Sequence, residues 1–357
     1  MRRNGTVDYL KFMFSLVILL FHFGLFFDGG YIMVEGFFMI TGYLMMTSLT
    51  RKRGDGEDAP DSTAKFVFRK YTAIFFPLLF SAISGTLIYE FLIYKDTVEE
   101  AIRKIPLLLF EVFPAQNAGF SGFWATGVSW YLAAMLLSIA ILHPFVKKNP
   151  LRFAYTAAPV ISILVYGLLC HQMKSLSVPN SWIYDLVNTG LLRGIAGISM
   201  GCVLYALISR STQKVSPGMR IFGTVAALAG FWYLFRVIMD EKQVRTTKDF
   251  ILVAVIFGIL YVCLSGKTVF SLLPSNAISK AFATVSTYIF LNHYAWCRYF
   301  HTRFPERDKT ELVGWFLLCV AVSSLVAWGL TTLANLLVKK VKEAKKRKAE
   351  ATSAEAI

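Results

Sequence analysis

The amino-acid sequence predicts an all-α fold, a polytopic membrane helix bundle of about ten transmembrane helices. The first observation is composition, since 56% of the 357 residues are hydrophobic and 17% are charged, whereas soluble proteins carry about 25% charged residues. The second is that the apolar residues form long runs, each near the roughly 20 residues that a helix needs to cross the hydrocarbon core. The third is that short basic stretches separate these runs. Together they exclude an ordinary soluble domain.

Ten runs reach the length of a membrane span. We predict transmembrane helices at residues 7–27, 30–49, 71–94, 128–146, 153–173, 188–209, 220–238, 249–265, 281–301 and 312–338. The first run is too long for the core of a signal peptide and lacks a small-residue cleavage site, so we expect it to remain as the first helix.

Lys and Arg residues favour one side of the membrane. They collect at both ends of the chain and in the connections near residues 51–70, 147–152, 210–220 and 267–280. An even number of spans places all of these on the same side, so the positive-inside rule predicts cytoplasmic N- and C-termini. The net charge of +15 therefore follows from topology, and we expect no nucleic acid partner.

The predicted domain organisation is one membrane domain, residues 1–338, followed by a basic cytoplasmic tail, residues 339–357. The extracytoplasmic segment 95–127 contains apolar stretches that Pro106 and Pro114 interrupt. This pattern favours a re-entrant or interfacial segment over a cavity rather than free coil. The five cysteines lie inside apolar runs without a CxxC motif, so we assign them to packing and expect no metal site.

Ionisable residues inside the predicted spans are the candidates for function, because each is costly unless it faces a cavity or a partner. The first helix carries Lys11 and His22. At about 100° per residue these two positions point in nearly the same direction, and a rise of 1.5 Å per residue separates them by about 16 Å. One helix face therefore presents a cation towards the cytoplasm and an imidazole towards the outside. The alternatives are a lysine that snorkels to the inner surface and a core histidine hydrogen-bonded to a neighbouring helix.

The second helix carries Glu35, at a depth similar to that of His22 in an adjacent antiparallel helix. A carboxylate beside an imidazole fixes its tautomer and supports it as a general base, so we predict a pair of His22 and Glu35. The alternative is a carboxylate that is wetted near the outer mouth of the bundle.

Four further residues are candidates for an acceptor site or for its support. They are Arg193 in the sixth span, His293 in the ninth, and Trp130 and Tyr131 at the start of the fourth. Arg193 precedes glycines that favour tight packing around it. Trp130 and Tyr131 also have a simpler explanation, because Trp and Tyr commonly anchor the ends of spans at the membrane interface.

In combination these residues resemble the acyltransferase-3 family of integral-membrane acyltransferases, over most of residues 6–337. The family's first helix carries a basic residue, ten intervening residues and a histidine, and Lys11 and His22 match that spacing. Two further family patterns are similar to Glu35 with Phe37-Phe38 and Thr41-Gly42 in the second helix, and to Thr287–His293 in the ninth.

The resemblance implies an O-acyltransferase that takes an acyl group, acetyl by default, from cytoplasmic acyl-CoA and passes it to a hydroxyl of an extracytoplasmic carbohydrate or glycolipid. His22 is then a general base or a transient acyl carrier, and Glu35 orients it. Lys11, with Arg69 and Lys70, attracts the phosphates of acyl-CoA. The resemblance also implies that acyl-CoA is a co-substrate with no permanently bound cofactor, and that the protein lies among lipids in a bacterial cytoplasmic membrane.

A transporter or flippase for an envelope glycan or lipid precursor is the alternative function. In a transporter or flippase, the same buried charges would form a pathway for protons or lipid headgroups, and no covalent bond would form or break. The sequence contains no recognisable inverted repeat, which counts against it. The acceptor, the acyl chain and the oligomeric state do not follow from the sequence.

Overall fold

A computed structural model describes residues 5–51, 61–113, 125–211 and 215–355 of the chain, which are almost entirely helical. The helices of these residues are α1 Gly5–Phe23, α2 Met33–Leu49, α3 Thr63–Leu87, α4 Val98–Val112, α5 Ser129–Lys148, α6 Pro150–Tyr155, α7 Ala157–Met173, α8 Thr189–Arg210, α9 Pro217–Ile238, α10 Lys248–Leu264, α11 Ala277–Arg303 and α12 Lys309–Glu355. Turns of 3₁₀ helix lie at Gly30–Ile32 and Val269–Leu272, and a π-helical stretch, Ile88–Tyr94, extends α3. A short antiparallel hairpin, Trp182–Ile183 with Val187–Asn188, precedes α8.

Seven helices of the described chain are long and apolar enough to cross a membrane: α1, α2 with its preceding turn, α3 with its extension, α5, α8, α9 and α12. Another apolar helix, α7, is shorter, with 17 residues. The remaining predicted spans, 249–265 and 281–301, coincide with α10 and α11. The all-α class with several membrane-spanning helices is thereby confirmed. The count of ten crossings and the cytoplasmic termini stay predictions.

The predicted fifth span, 153–173, contains a break in the structure. Helix α6 ends at Tyr155 and α7 begins at Ala157, with Thr156 between them. Pro159 lies in the first turn of α7, where the missing N–H of proline leaves no helical bond unmade. Composition alone does not reveal this break, because the residues on both sides of it are apolar.

The segment predicted at 95–127 contains an amphipathic helix, α4, which continues through Pro106. The ammonium group of Lys104 donates to Glu90 at 2.5 Å and to Asp96 at 2.7 Å, which ties α4 to the end of α3. Glu111 is buried and accepts from the backbone N–H of Ala125 at 2.9 Å, which ties α4 to the start of α5. Burial raises the pKa of the Glu111 carboxyl. Residues 114–124, with Pro114, lie outside the described residues, and the re-entrant or interfacial position stays a prediction.

The centre of the bundle is the contact between α2 and α8. A Cβ atom on Gly42 would collide with the carbonyl group of Ile198, and one on Gly201 would collide with the carbonyl group of Met39. Small residues let two helix backbones approach this closely. Because α2 lies against α8 rather than α1 along this face, the buried side chains of α2 meet those of α8.

Candidate active site

A cavity of about 270 Å³ lies beside the N-terminal half of α1. We call it the lysine cavity, because Lys11 of α1 and Lys70 of α3 line it. Five hydroxyl-bearing residues add polar lining, and the rest of the wall is apolar; the five are Ser15, Thr41, Tyr131, Ser286 and Thr287. Two cations thus meet in a space that is otherwise poor in charge.

A second cavity, of about 120 Å³, lies beside the C-terminal end of α1. We call it the histidine cavity, because His22 lines it together with Arg193 of α8. Trp130, at the start of α5, and Ser177, in the connection before the hairpin, complete its polar wall. The eleven-residue spacing in α1 therefore places Lys11 in one cavity and His22 in the other.

His22 lies against a second histidine of α11. The ring centroids of His22 and His293 are 5.2 Å apart, and the ring of Tyr294 meets that of His22 edge-on at 5.2 Å. The Nδ1 atom of His293 lies 3.0 Å from the carbonyl oxygen of Ile289, which can only accept, so Nδ1 carries the proton. Its Nε2 atom is buried and has no hydrogen-bond partner among the described residues. His293 therefore carries a buried acceptor nitrogen on a ring that neighbours the ring of His22.

Glu35 is not paired with His22, so this part of the sequence prediction is wrong. Its Oε1 atom accepts from Nε of Arg193 at 2.6 Å, and its Oε2 atom accepts from the hydroxyl of Tyr166. Similar depth does not make two side chains meet, because the rotation of each helix about its axis decides which neighbour a side chain faces. The close contact of α2 with α8 turns Glu35 towards Arg193.

Arg193 is almost wholly buried, with 1% of its surface exposed. Besides Glu35, it donates from Nη1 to the carbonyl oxygen of Leu176 at 2.7 Å. Its guanidinium carbon lies 5.1 Å from the centroid of the Trp130 ring, a cation–π contact. Trp130 therefore faces the interior and the histidine cavity, while the neighbouring Tyr131 lines the lysine cavity.

The acyltransferase-3 family model, described as an acyltransferase domain, matches residues 4–332. The chain belongs to the acyltransferase-3 family. The resemblance drawn from the sequence is thereby confirmed, and the match includes every residue of both cavities. Membership of the acyltransferase-3 family supports a membrane acyltransferase activity. The chain has no match among curated proteins or solved structures.

The resemblance to the acyltransferase-3 family assigned Arg69 and Lys70, together with Lys11, to binding of the acyl donor. The structure places one of these two residues in the lysine cavity. Lys70 lines that cavity. Arg69, the preceding residue of α3, does not line it; its side chain is 56% exposed and forms an ion pair with Asp61. Both cations lie over the ring of Phe66, at 5.3 Å for Arg69 and 5.6 Å for Lys70, but only Lys70 reaches the cavity.

The sequence analysis missed Asp249, a buried acid that binds residues around the histidine cavity. Asp249, 1% exposed, accepts from the hydroxyl of Tyr31 at 2.8 Å and from the backbone N–H of Leu176 at 2.9 Å. It also accepts from the hydroxyl of Ser175 at 2.8 Å. These bonds fix the segment whose carbonyl group binds Arg193. The only sequence signal is an acid at the edge of an apolar run, which a helix start explains equally well.

Among the described residues, no group of three His, Cys, Asp or Glu side chains is placed to hold a metal ion. The cysteines are free thiols within helices. The groups that line the two cavities include imidazole, lysine, guanidinium and hydroxyl groups.

Proposed function

We propose that the protein is an O-acyltransferase that moves an acyl group, acetyl by default, from cytoplasmic acyl-CoA to a hydroxyl of an extracytoplasmic carbohydrate or glycolipid. The observation that carries the proposal is that one helix, α1, contributes Lys11 to one cavity and His22 to the next. An enzyme that joins a donor from one side to an acceptor from the other needs two such sites that adjoin.

The lysine cavity suits the donor. Lys11 and Lys70 approach it from α1 and α3, and acyl-CoA carries several phosphate charges on a long, flexible arm. Ammonium groups with little water around them attract phosphates strongly. The largely apolar remainder of the wall suits the uncharged arm that carries the thioester.

The histidine cavity suits the acceptor. A nitrogen of His22 takes the proton of the acceptor hydroxyl while the hydroxyl oxygen attacks the thioester carbonyl carbon. The new C–O bond forms, the C–S bond breaks, and the CoA thiolate leaves with the proton that the imidazolium returns. We assign the positioning of the His22 ring to its neighbour His293, whose Nε2 atom is an acceptor without a partner among the described residues. Trp130 and Arg193 form part of the wall of the cavity that the acceptor hydroxyl enters.

His22 as a transient acyl carrier uses the same geometry. Its nitrogen attacks the thioester, an N-acyl imidazole forms as CoA leaves, and the acceptor hydroxyl then takes the acyl group. Incubation with radiolabelled acetyl-CoA in the absence of acceptor distinguishes the two routes. Label on His22 supports the carrier, and its absence with transfer intact supports the base.

The deciding experiment measures covalent transfer of labelled acetyl groups to envelope carbohydrate by membranes that contain the protein. We expect transfer with the wild type, and a loss of at least 100-fold with His22→Ala. His171→Ala is the matched control, since His171 is an exposed histidine at the end of α7 and lines neither cavity. Full transfer by a folded His22→Ala variant would overturn the role of His22. The absence of any transfer by the wild type, with a transport defect in its place, would favour a flippase.

A further inference from the structure

We propose that Phe290 is the specificity-determining residue that separates the lysine cavity from the histidine cavity and restricts the transferred acyl group to short chains. This inference rests on the proposed function. Phe290 lines both cavities, and no other residue of the described chain does so. In the proposed reaction the thioester enters on the lysine side and the hydroxyl waits on the histidine side. The acyl group must therefore pass the Phe290 ring.

The ring of Phe290 belongs to an aromatic wall. Its centroid lies 5.8 Å from that of Phe37 and 5.7 Å from that of Tyr131, with the Tyr131 ring nearly edge-on. On the other side it lies 6.1 Å from the ring of His293. All of these side chains are buried. The wall therefore borders the lysine cavity through Phe37 and Tyr131, and its Phe290 ring also borders the cavity that His22 lines.

Hydrogen bonds on both sides of Phe290 fix the position of this wall. One turn earlier on α11, the hydroxyl of Ser286 lies 2.7 Å from that of Ser15 on α1. Two residues later, Asn292 donates to the hydroxyl of Ser81 on α3 at 2.8 Å. Because these bonds tie α11 to two neighbours, we expect the passage to open by rotation of the Phe290 ring rather than by movement of the helix.

The sizes of the two cavities favour a short acyl group. The histidine cavity, at about 120 Å³, has less than half the volume of the lysine cavity, at about 270 Å³. Pockets that hold drug-sized ligands measure about 300–1,000 Å³. With Phe290 in place, the histidine cavity has room for a two-carbon acyl group beside an acceptor hydroxyl, but not for a chain of eight carbons.

The test compares acetyl-CoA with octanoyl-CoA as donors for the wild type and for Phe290→Ala. We expect the wild type to prefer acetyl-CoA by at least 100-fold in kcat/KM, and Phe290→Ala to reduce this preference at least tenfold. Phe290→Leu keeps most of the side-chain volume, so it should reduce the preference for acetyl-CoA less than Phe290→Ala does. It also provides a milder variant in case Phe290→Ala fails to fold. Phe257→Ala is the control, since Phe257 lines a third cavity of about 290 Å³ between α7, α8 and α10.

Three outcomes would overturn the inference. An equal use of both donors by the wild type would contradict the restriction. An unchanged preference in folded Phe290→Ala and Phe290→Leu, or an equal shift in Phe257→Ala, would remove Phe290 from the role while leaving the proposed function intact. A wild type that transfers no acyl group from any acyl-CoA would overturn the proposed function itself, and with it this inference.

Discussion

The Nε atom of Arg193 donates to Oε1 of Glu35 at 2.6 Å inside the bundle, and both side chains are withdrawn from the surface, with 1% and 0% exposed. The pair joins α8 to α2 at the point where both border the histidine cavity. The hydroxyl of Tyr166 satisfies the other carboxylate oxygen, and the Leu176 carbonyl satisfies a further N–H of the arginine. A buried ion pair with such complete hydrogen bonding fixes the relative position of its two helices.

Removal of one partner from this pair should destabilise the protein strongly. We expect Glu35→Met and Arg193→Met each to lower the free energy of unfolding by about 3–5 kcal/mol, because each leaves an unpaired buried charge. The double variant should be less destabilised than the sum of the two. Thermal unfolding in detergent measures all three, and strictly additive effects would contradict the pairing.

The glycines at the contact of α2 with α8 give a second prediction. Gly42→Ala should destabilise the protein by about 1–3 kcal/mol, because the added methyl group meets the Ile198 carbonyl. Gly167→Ala in α7 is the matched control, since nothing lies within 4 Å of its Cβ position. That substitution should be neutral or stabilise the helix by about 0.5–1 kcal/mol. Equal effects of the two substitutions on the unfolding temperature in detergent would argue against a close α2–α8 contact.

The lysine cavity predicts which cations bind the donor. Lys11→Met and Lys70→Met should each weaken acetyl-CoA binding about tenfold, a change equivalent to about 1.4 kcal/mol. Arg69→Met should have a smaller effect, since Arg69 is exposed and paired with Asp61. Lys65→Met is the surface control, with 70% of the Lys65 side chain exposed. Isothermal titration on the purified protein gives all four affinities, and a loss with Arg69→Met as large as that with Lys70→Met would contradict the assignment.

The helices could be predicted from the sequence because the membrane imposes a length on apolar runs. The positions of Lys11 and His22 could be predicted as well, because both lie on one helix and helix geometry relates them directly. The break at Thr156 could not, since it does not change the composition of the run. The sequence also could not predict that Lys70 lines the lysine cavity while Arg69 does not, because this depends on which face of α3 meets the cavity.

Contacts between helices were the harder part of the site. Glu35 and Arg193 are 158 positions apart in the chain, and their pairing depends on the rotation of α2 against α8. The sequence analysis compared the two residues by depth alone and had no measure of rotation, and it assigned Glu35 to the wrong neighbour. Phe290 was missed for another reason: it is one of 31 phenylalanines, and only its place between two cavities distinguishes it.

His293 should take the place that the sequence analysis gave to Glu35. Its Nδ1 proton is held by the Ile289 carbonyl, so its Nε2 atom is an acceptor, on a ring whose centroid lies 5.2 Å from that of His22. We expect His293→Asn to lower kcat of acyl transfer by about 100-fold, the low end of what a positioned proton acceptor contributes. The KM for acetyl-CoA should change little, because His293 does not line the lysine cavity.

Two further variants make the test of His293 specific. Asparagine reproduces the Nδ1 donor that binds the Ile289 carbonyl but not the Nε2 acceptor. Glutamine carries a polar atom nearer the position of Nε2. His293→Gln should therefore retain more activity than His293→Asn. His301→Ala is the control on the same helix, since His301 lies about two turns beyond His293 on α11 and binds the Phe23 carbonyl at 3.0 Å. Steady-state kinetics and unfolding temperatures are measured for all three variants. A kcat that falls only as far as the unfolding temperature falls, whether or not an acceptor replaces Nε2, would exclude a role for His293.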